Sequence, residues 1–417
     1  MSTTEEPLST QGLLRLDWAR RGMPGLARVG ERFERDRPLS GLRIVAALHI
    51  TPETGVLAAV LQAGGAELHL AAANPLSTQD DIAAALVQRY NIAVHAERGA
   101  DRETYDRHLE RALDAGPQLV LDDGCDLVGR LHTGRRELLP DVRGGCEQTT
   151  TGVVRLRAMA AEGALRFPVL AVNDSPIQQS FANRHGTGQS TVDAIVRSTN
   201  VLLAGRTVVV AGYGNCGKGV ADRARGLGAA VVVTEIDPTR ALEAAMAGFR
   251  VLPMDDAAPE GDVFVTVTGS RGVLAERHFA VMKDDAILAN SGHFDLEIDV
   301  AWLGEHCVDV RRGVRPHVDE YLLADGRRLL VLAEGRLVNL AAAEGHPPAV
   351  MDVSFAGQAL CTEWLAAHAG SLEPGLYDVP AAIDQGLALL QLAAMRVRID
   401  RLDPAQEAYL TSWRHGG

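Results

Sequence analysis

Arg206-Thr-Val-Val-Val-Ala-Gly212-Tyr-Gly214-Asn-Cys-Gly217-Lys-Gly219 sets a β-branched run directly before three glycines spaced G-x-G-x-x-G, with a helix-forming stretch directly after them. The spacing predicts a buried strand over 207–211 and a helix over 218–227. The first glycine permits the tight turn, the second lets the backbone approach a pyrophosphate, and the third lets helix and strand pack closely. Amides at the helix start then face phosphate oxygens. Eighteen residues past Gly217, Glu235 follows a second apolar run, where a carboxylate accepts both ribose hydroxyls and repels a 2′-phosphate. The expected cofactor is NAD rather than NADP.

Outward from this fingerprint the chain repeats one pattern. Toward the C-terminus, 229–237, 262–269 and 285–292 are further apolar strands separated by helical stretches, and a helix is expected over 192–205 just before the motif. Toward the N-terminus, 41–50, 66–74, 91–97 and 117–123 read as short buried strands, with helices such as 54–64 and 80–90 between them. Strand–helix alternation with near-continuous apolar strands implies parallel sheets covered on both faces. The tail is helical over 349–368 and 381–399 and is placed to return onto the first unit. The expectation is an α/β protein of doubly wound parallel sheets. A Rossmann NAD domain over 185–346 is inserted in a larger α/β substrate domain over 1–175 and 347–395, followed by a tail over 396–417.

Composition narrows the partners. A formal charge of −13 disfavours a nonspecific grip on nucleic acid, and no apolar run reaches the length of a membrane span. The opening residues MSTTEEPLSTQ lack the basic start and apolar core of a secretory signal, so a cytoplasmic location is expected. The five cysteines are scattered without CxxC spacing, which indicates neither a disulfide framework nor a zinc site. Lysine is nearly absent, with Lys218 and Lys283 against abundant arginine, so neutral drift at a lysine position in this chain favours arginine.

Beyond the glycine motif, the blocks LHITPET (48–54), NPLSTQDD (74–81), LDDGCDL (121–127), TTTGV (149–153), VNDS (172–175), RHGTGQS (184–190), SGHFDLEID (291–299), LLVLAEGRLVNLAAAEGHP (329–347) and VMDVSF (350–355) span nearly the whole chain. In these blocks it resembles the adenosylhomocysteine hydrolases, and the GTGQS block and the end at SWRHGG are similar to the shorter, archaeal-type members. The resemblance implies a homotetramer acting on an adenine nucleoside. Retained NAD transiently oxidises the 3′-hydroxyl, the resulting ketone acidifies C4′–H, and the 5′ substituent leaves by elimination. It also assigns roles. His49 and Asp123 match the family's proton-transfer pair, Asn173 falls in the same catalytic neighbourhood, and His293 serves the nucleoside and nicotinamide pocket. Thr51, Glu53, His346 and Met351 match substrate contacts, with Thr51 and Glu53 at adenine. Thr149, Thr150, Thr151, Asn183, Gly212, Gly214, Asn215, Cys216, Gly217, Glu235, Arg240, Thr268, Gly292, Asn339 and His346 match cofactor contacts. Thr149–Thr151 also suit a plain helix start by side-chain capping.

Three substrate-site positions depart from the family pattern. Gln178 stands where these hydrolases have a lysine, Ala182 where they have an aspartate, and Gln148 where they have the second of two glutamates. Drift under this chain's composition would have replaced the lysine by arginine. Joint loss of one positive and two negative groups avoids stranding a buried charge, which marks a retuned pocket. Three expectations follow. The first is a nucleoside dehydratase, expelling the terminal hydroxyl in nucleoside-antibiotic chemistry. The second is ordinary adenosylhomocysteine hydrolysis with His185 or an ordered water as substitute base. The third is a non-catalytic NAD-binding regulator.

Overall fold

The computed structural model describes residues 5–293 and 295–413; residues 1–4 and 414–417, at the outer limits of the expected segments, and Phe294 of the SGHFD block lie outside the described residues. Strand β1 (Arg43–Leu48) shows how the first sheet forms. Ile44, Ala46 and Leu48 enter one apolar cluster, while Val45 and Ala47 enter another on the opposite face. A strand buried on both faces has no polar alternation, which is why the sequence reads as an unbroken apolar run.

The sheet continues through β2 (Glu67–Ala72), β3 (Ala93–His95), β4 (Leu119–Asp122), β5 (Gly144–Glu147) and β6 (Pro168–Ala171), with a short edge strand Gly375–Tyr377 added from the tail. The spatial order is Gly375–Tyr377, β6, β5, β4, β1, β2, β3, and every pairing is parallel. Strand order therefore reverses between β1 and β4. In an open parallel sheet, a crevice opens beyond the carboxyl ends of the strands at such a switch point.

A second sheet is built from β7 (Thr207–Ala211), β8 (Ala230–Thr234), β9 (Arg250–Val251), β10 (Val263–Thr266), β11 (Ala286–Asn290), β12 (Asp309–Arg315), β13 (Val318–Leu322) and β14 (Arg328–Leu332). Its order is β12, β13, β14, β11, β10, β7, β8, β9, and the switch point lies between β7 and β10. Val208 and Val210 pack on one face and Val209 on the other, so this sheet too is covered on both sides. The antiparallel β12–β13 pair was not anticipated: β12 is an exposed edge carrying Arg311, Arg312 and Arg315, without the apolar run that marks a buried parallel strand.

Several helix limits differ from the sequence expectation; the helix after the glycine motif, expected over 218–227, covers Asn215–Gly226. The helix before β7 covers Thr187–Thr199, because Asn200 adopts left-handed geometry (φ 55°) and stops it short of 201–205. The final long helix covers Ala381–Ala394 and stops before Arg396 at φ 58°. The tail helix Pro348–His368 returns to the first sheet and packs against the helices Pro24–Asp36 and Pro52–Ala63. Asp352 fixes that return by accepting hydrogen bonds from the backbone N–H of Gly25 (2.8 Å) and Leu26 (2.6 Å). No helix among the described residues is long and apolar enough to cross a membrane.

Candidate active site

The carboxyl ends of both sheets open onto one cavity of about 1340 Å³. From the first sheet come His49 after β1, Asp123 after β4, Gln148 and Thr149 after β5, and Asn173 after β6. From the second come Gly212 after β7, Glu235 after β8, Thr268 after β10, and Gly292 and His293 after β11. The two sets meet directly, since a Cβ on Gly124 would sit 3.2 Å from His293 Nε2. Thr51, Glu53, Thr150, Thr151, Gln178, Asn183, Asn215, Cys216, Arg240, Asn339, His346 and Met351 also line the cavity.

Two expected residues do not line it. Gly217 supports the site from behind: a Cβ there would lie 2.0 Å from the Gly212 carbonyl oxygen, so only glycine lets this helix reach the loop. Ala182 is buried and is not among the residues that line the cavity. His185, offered as a substitute base, is exposed beside Phe181 with ring centroids 6.3 Å apart, and is not in the cavity. Asp122 and Asp126 do not line it either. Asp122 is buried against the amides of Asp123 and Val128, and Asp126 is held by Tyr105 and Arg155.

At the first switch point His49 Nε2 lies 3.7 Å from Asp123 Oδ2. His49 Nδ1 is 2.6 Å from Ser77 Oγ, while the Ser77 hydroxyl donates to the Asn74 carbonyl at 2.8 Å. Ser77 therefore accepts from His49, which puts the imidazole proton on Nδ1 and leaves Nε2 bare toward Asp123. Burial lowers the His49 pKa to about 4. Burial raises Asp123 to about 6, against the opposing pull of His293. The environments invert the usual order, so a proton shared by the pair rests on the carboxyl group.

Sequence reasoning missed the residue that shapes this loop. Glu147 is fully buried and accepts from Gly124 N, Cys125 N, Thr149 N and Thr149 Oγ1, each at 2.9 Å. Burial and the nearby Asp123 raise its pKa to about 7. The pattern EQTTTG drew attention to the altered neighbour Gln148, whereas the retained acid organises both the Asp123 turn and the Thr149 cap. Thr149 does cap the following helix, its hydroxyl accepting from Gly152 N at 3.1 Å, and still faces the cavity. Ser77 was likewise legible only as part of a block.

The second switch point suits a dinucleotide. Gly212 has φ 103°, a conformation that favours glycine. A Cβ on Gly214 would meet only Arg240 Nη1, at 3.8 Å, so the loop holds open room for a phosphate beneath a guanidinium. Glu235 is fixed by backbone N–H groups of Tyr213 (2.7 Å), Ile236 (2.7 Å) and Asp237 (3.1 Å). Asp123 Oδ1, Gln148 Oε1 and Asn339 Oδ1, on three residues that line the cavity, are buried without a hydrogen-bond partner among the described residues, a costly state for a polar atom.

The fold and site define a doubly wound α/β protein in which a glycine-rich dinucleotide-type loop and a buried histidine–aspartate pair open onto one cavity. Residues 5–140 match the family described as S-adenosyl-L-homocysteine hydrolase and residues 183–345 match its NAD-binding domain. The chain is 55% identical to the adenosylhomocysteinase of Thermosynechococcus vestitus over 409 residues, covering 98% of this chain and 95% of the relative. It is 56% identical to that of Aquifex aeolicus, covering 98% of both. It is 50% identical to the S-inosyl-L-homocysteine hydrolase of Methanopyrus kandleri, covering 98% of this chain and 96% of the relative. The chain belongs to the adenosylhomocysteinase family of NAD-dependent hydrolases.

Proposed function

We propose that this enzyme acts on an adenine nucleoside by transient oxidation at the 3′ position and elimination across C4′ and C5′, and that its leaving group is the terminal hydroxyl, lost as water. The observation that carries this reading is the pairing of an intact His49–Asp123–His293 cluster with a sugar pocket in which Gln148 and Gln178 present neutral amides. Bound NAD supplies reversible hydride removal from a carbinol carbon. Gly212, Gly214, Asn215, Glu235, Arg240, Thr268 and Asn339 are placed to hold it.

The chain's own residues supply the proton transfers. His49 Nε2, bare and weakly basic, accepts a proton, and Asp123, protonated below about pH 6, donates one. Hydroxide is a poor leaving group and needs a general acid, and the inverted pKa order keeps one available beside the base. Glu53, at the start of the helix Pro52–Ala63, is buried and suits a hydrogen bond from the adenine amino group. The two sheets suit a nucleoside domain over 1–175 and 347–395 and a cofactor domain over 185–346. Exposed Met395, Ile399, Leu410 and Trp413 in the tail over 396–417 and just before it favour a homo-oligomer.

A second reading is favoured by the high identity to adenosylhomocysteinases: hydrolysis of adenosylhomocysteine itself. The holoenzyme is incubated with adenosylhomocysteine, adenosine and a 1′-hydroxymethyl adenine nucleoside, and bound NADH absorbance and product mass are followed. A product lighter by one water supports the dehydratase. Homocysteine release at a rate normal for the family refutes it, and failure of every nucleoside to reduce the cofactor points to a regulator. His49→Ala is expected to abolish elimination while sparing cofactor reduction; equal loss of both overturns the assignment of His49.

A further inference from the structure

Residues 179–186 form a π-helix that joins the two sheets. It lies directly on the dinucleotide helix Asn215–Gly226: a Cβ on Gly219 would fall 1.8 Å from the Arg184 carbonyl oxygen. π-Helical turns are rare and concentrate at functional sites. The first residue of this one, Gln179, lines the cavity and makes two hydrogen bonds in opposite directions. Its Nε2 donates to the Asn173 carbonyl at 2.7 Å, at the carboxyl end of the first sheet. Its Oε1 accepts from Asn215 Nδ2 at 2.8 Å, at the start of the dinucleotide helix. Asn173 in turn donates from Nδ2 to Thr150 Oγ1 at 3.1 Å, and Thr150 lines the same cavity.

We propose that Gln179 is a positioning residue that clasps the two sheets, relaying the placement of the dinucleotide loop to the Asn173–Thr150 wall of the substrate site. The primary amide suits this task because one planar group carries a donor and an acceptor, each matched here to a partner of the opposite kind. Asn215 is oriented only when the clasp is made, so a dinucleotide seated on the loop restrains the 172–175 turn. Conversely, a dinucleotide leaving the loop frees that turn. The inference uses NAD binding alone and is independent of which nucleoside is turned over.

The test uses the full chain with NAD bound and after NAD removal. Gln179→Met keeps the length and volume of the side chain and removes both hydrogen bonds, while Gln179→Asn keeps the amide and removes its reach. NAD release is timed on dilution, and amide hydrogen exchange is followed over 172–175. Both variants are expected to release NAD about tenfold faster and to lose the protection that NAD confers on 172–175, with exchange in the NAD-free protein unchanged from wild type. Wild-type NAD release together with retained NAD-linked protection overturns the proposal. Faster exchange over 172–175 even without NAD also overturns it, because that marks a merely structural role.

Discussion

Restoring one family charge to the sugar pocket is expected to destabilise the protein, and restoring its partner is expected to rescue it. Gln178 ends a short helix continuous with the π-helix, and Ala182 lies one turn further on. Both are buried, at 8% and 1% exposure. A lysine at 178 alone would be a buried ammonium without its counter-charge, and an aspartate at 182 alone would be a buried carboxylate without its own. An uncompensated buried charge of this kind costs about 3–5 kcal/mol. Gln178→Lys and Ala182→Asp should therefore each lower stability by about 3 kcal/mol or more. The double variant should recover at least about 2 kcal/mol of the summed loss, because residues one helical turn apart are neighbours. Denaturant unfolding of the NAD-loaded protein measures all four corners of the cycle. Adding Gln148→Glu to the double variant should move turnover toward homocysteine release. Additive single effects, or a triple variant with no change in product, would refute the view that these positions were retuned as a set.

The remaining predictions concern the proton pair, the base pocket and the packing of the cofactor helix. With Asp123, raised by burial to about 6, as the proposed acid of the pair, kcat/KM for water elimination should fall as pH rises through about 6, and Asp123→Asn should remove that inflection with a loss of about 100-fold or more; an unchanged profile excludes Asp123 as the acid. Glu53→Gln replaces an acceptor by a group that also donates, so selectivity between adenine and hypoxanthine nucleosides should shift at least about tenfold toward hypoxanthine, read from competing substrates by mass. Gly219→Ala would drive a methyl group toward the Arg184 carbonyl, whose backbone cannot yield freely, and should cost about 3 kcal/mol in thermal unfolding.

The cofactor side was legible in advance because its demands are local. A strand, a glycine spacing, a helix and an acid are close in sequence, and the strand Thr207–Ala211 and the helix Asn215–Gly226 fall on either side of the glycine turn as the spacing implies. The substrate side depends on contacts that sequence spacing does not record. Ser77 sets the His49 tautomer across 28 positions, and Glu147 holds the Asp123 turn from a neighbouring strand end 23 positions from Gly124. The β12 edge was hidden because an exposed antiparallel strand carries charge on its faces, and the Gly375–Tyr377 strand because three residues give no period to read.

Facing switch points explain why this pocket tolerates loss of its charges. The residues that would hold NAD line the β7–β10 crevice, and His49 and Asp123 line the β1–β4 crevice, so on the proposed reading a nucleoside would lie between two sets of groups anchored by strand ends. Of the altered positions, 148 and 178 line a third wall, after β5 and before the π-helix linker, while Ala182 is buried in that linker behind it. That wall is not the source of the inverted His49–Asp123 order, which follows from burial at the β1–β4 ends. On the proposed reading, residues 148 and 178 can change without disturbing either the cofactor crevice or the His49–Asp123 pair. On the proposed reading, an Asp123 carboxyl whose pKa is raised to about 6 beside a bare imidazole nitrogen is what would serve a leaving group that needs an acid to depart, and that service would weaken above about pH 6.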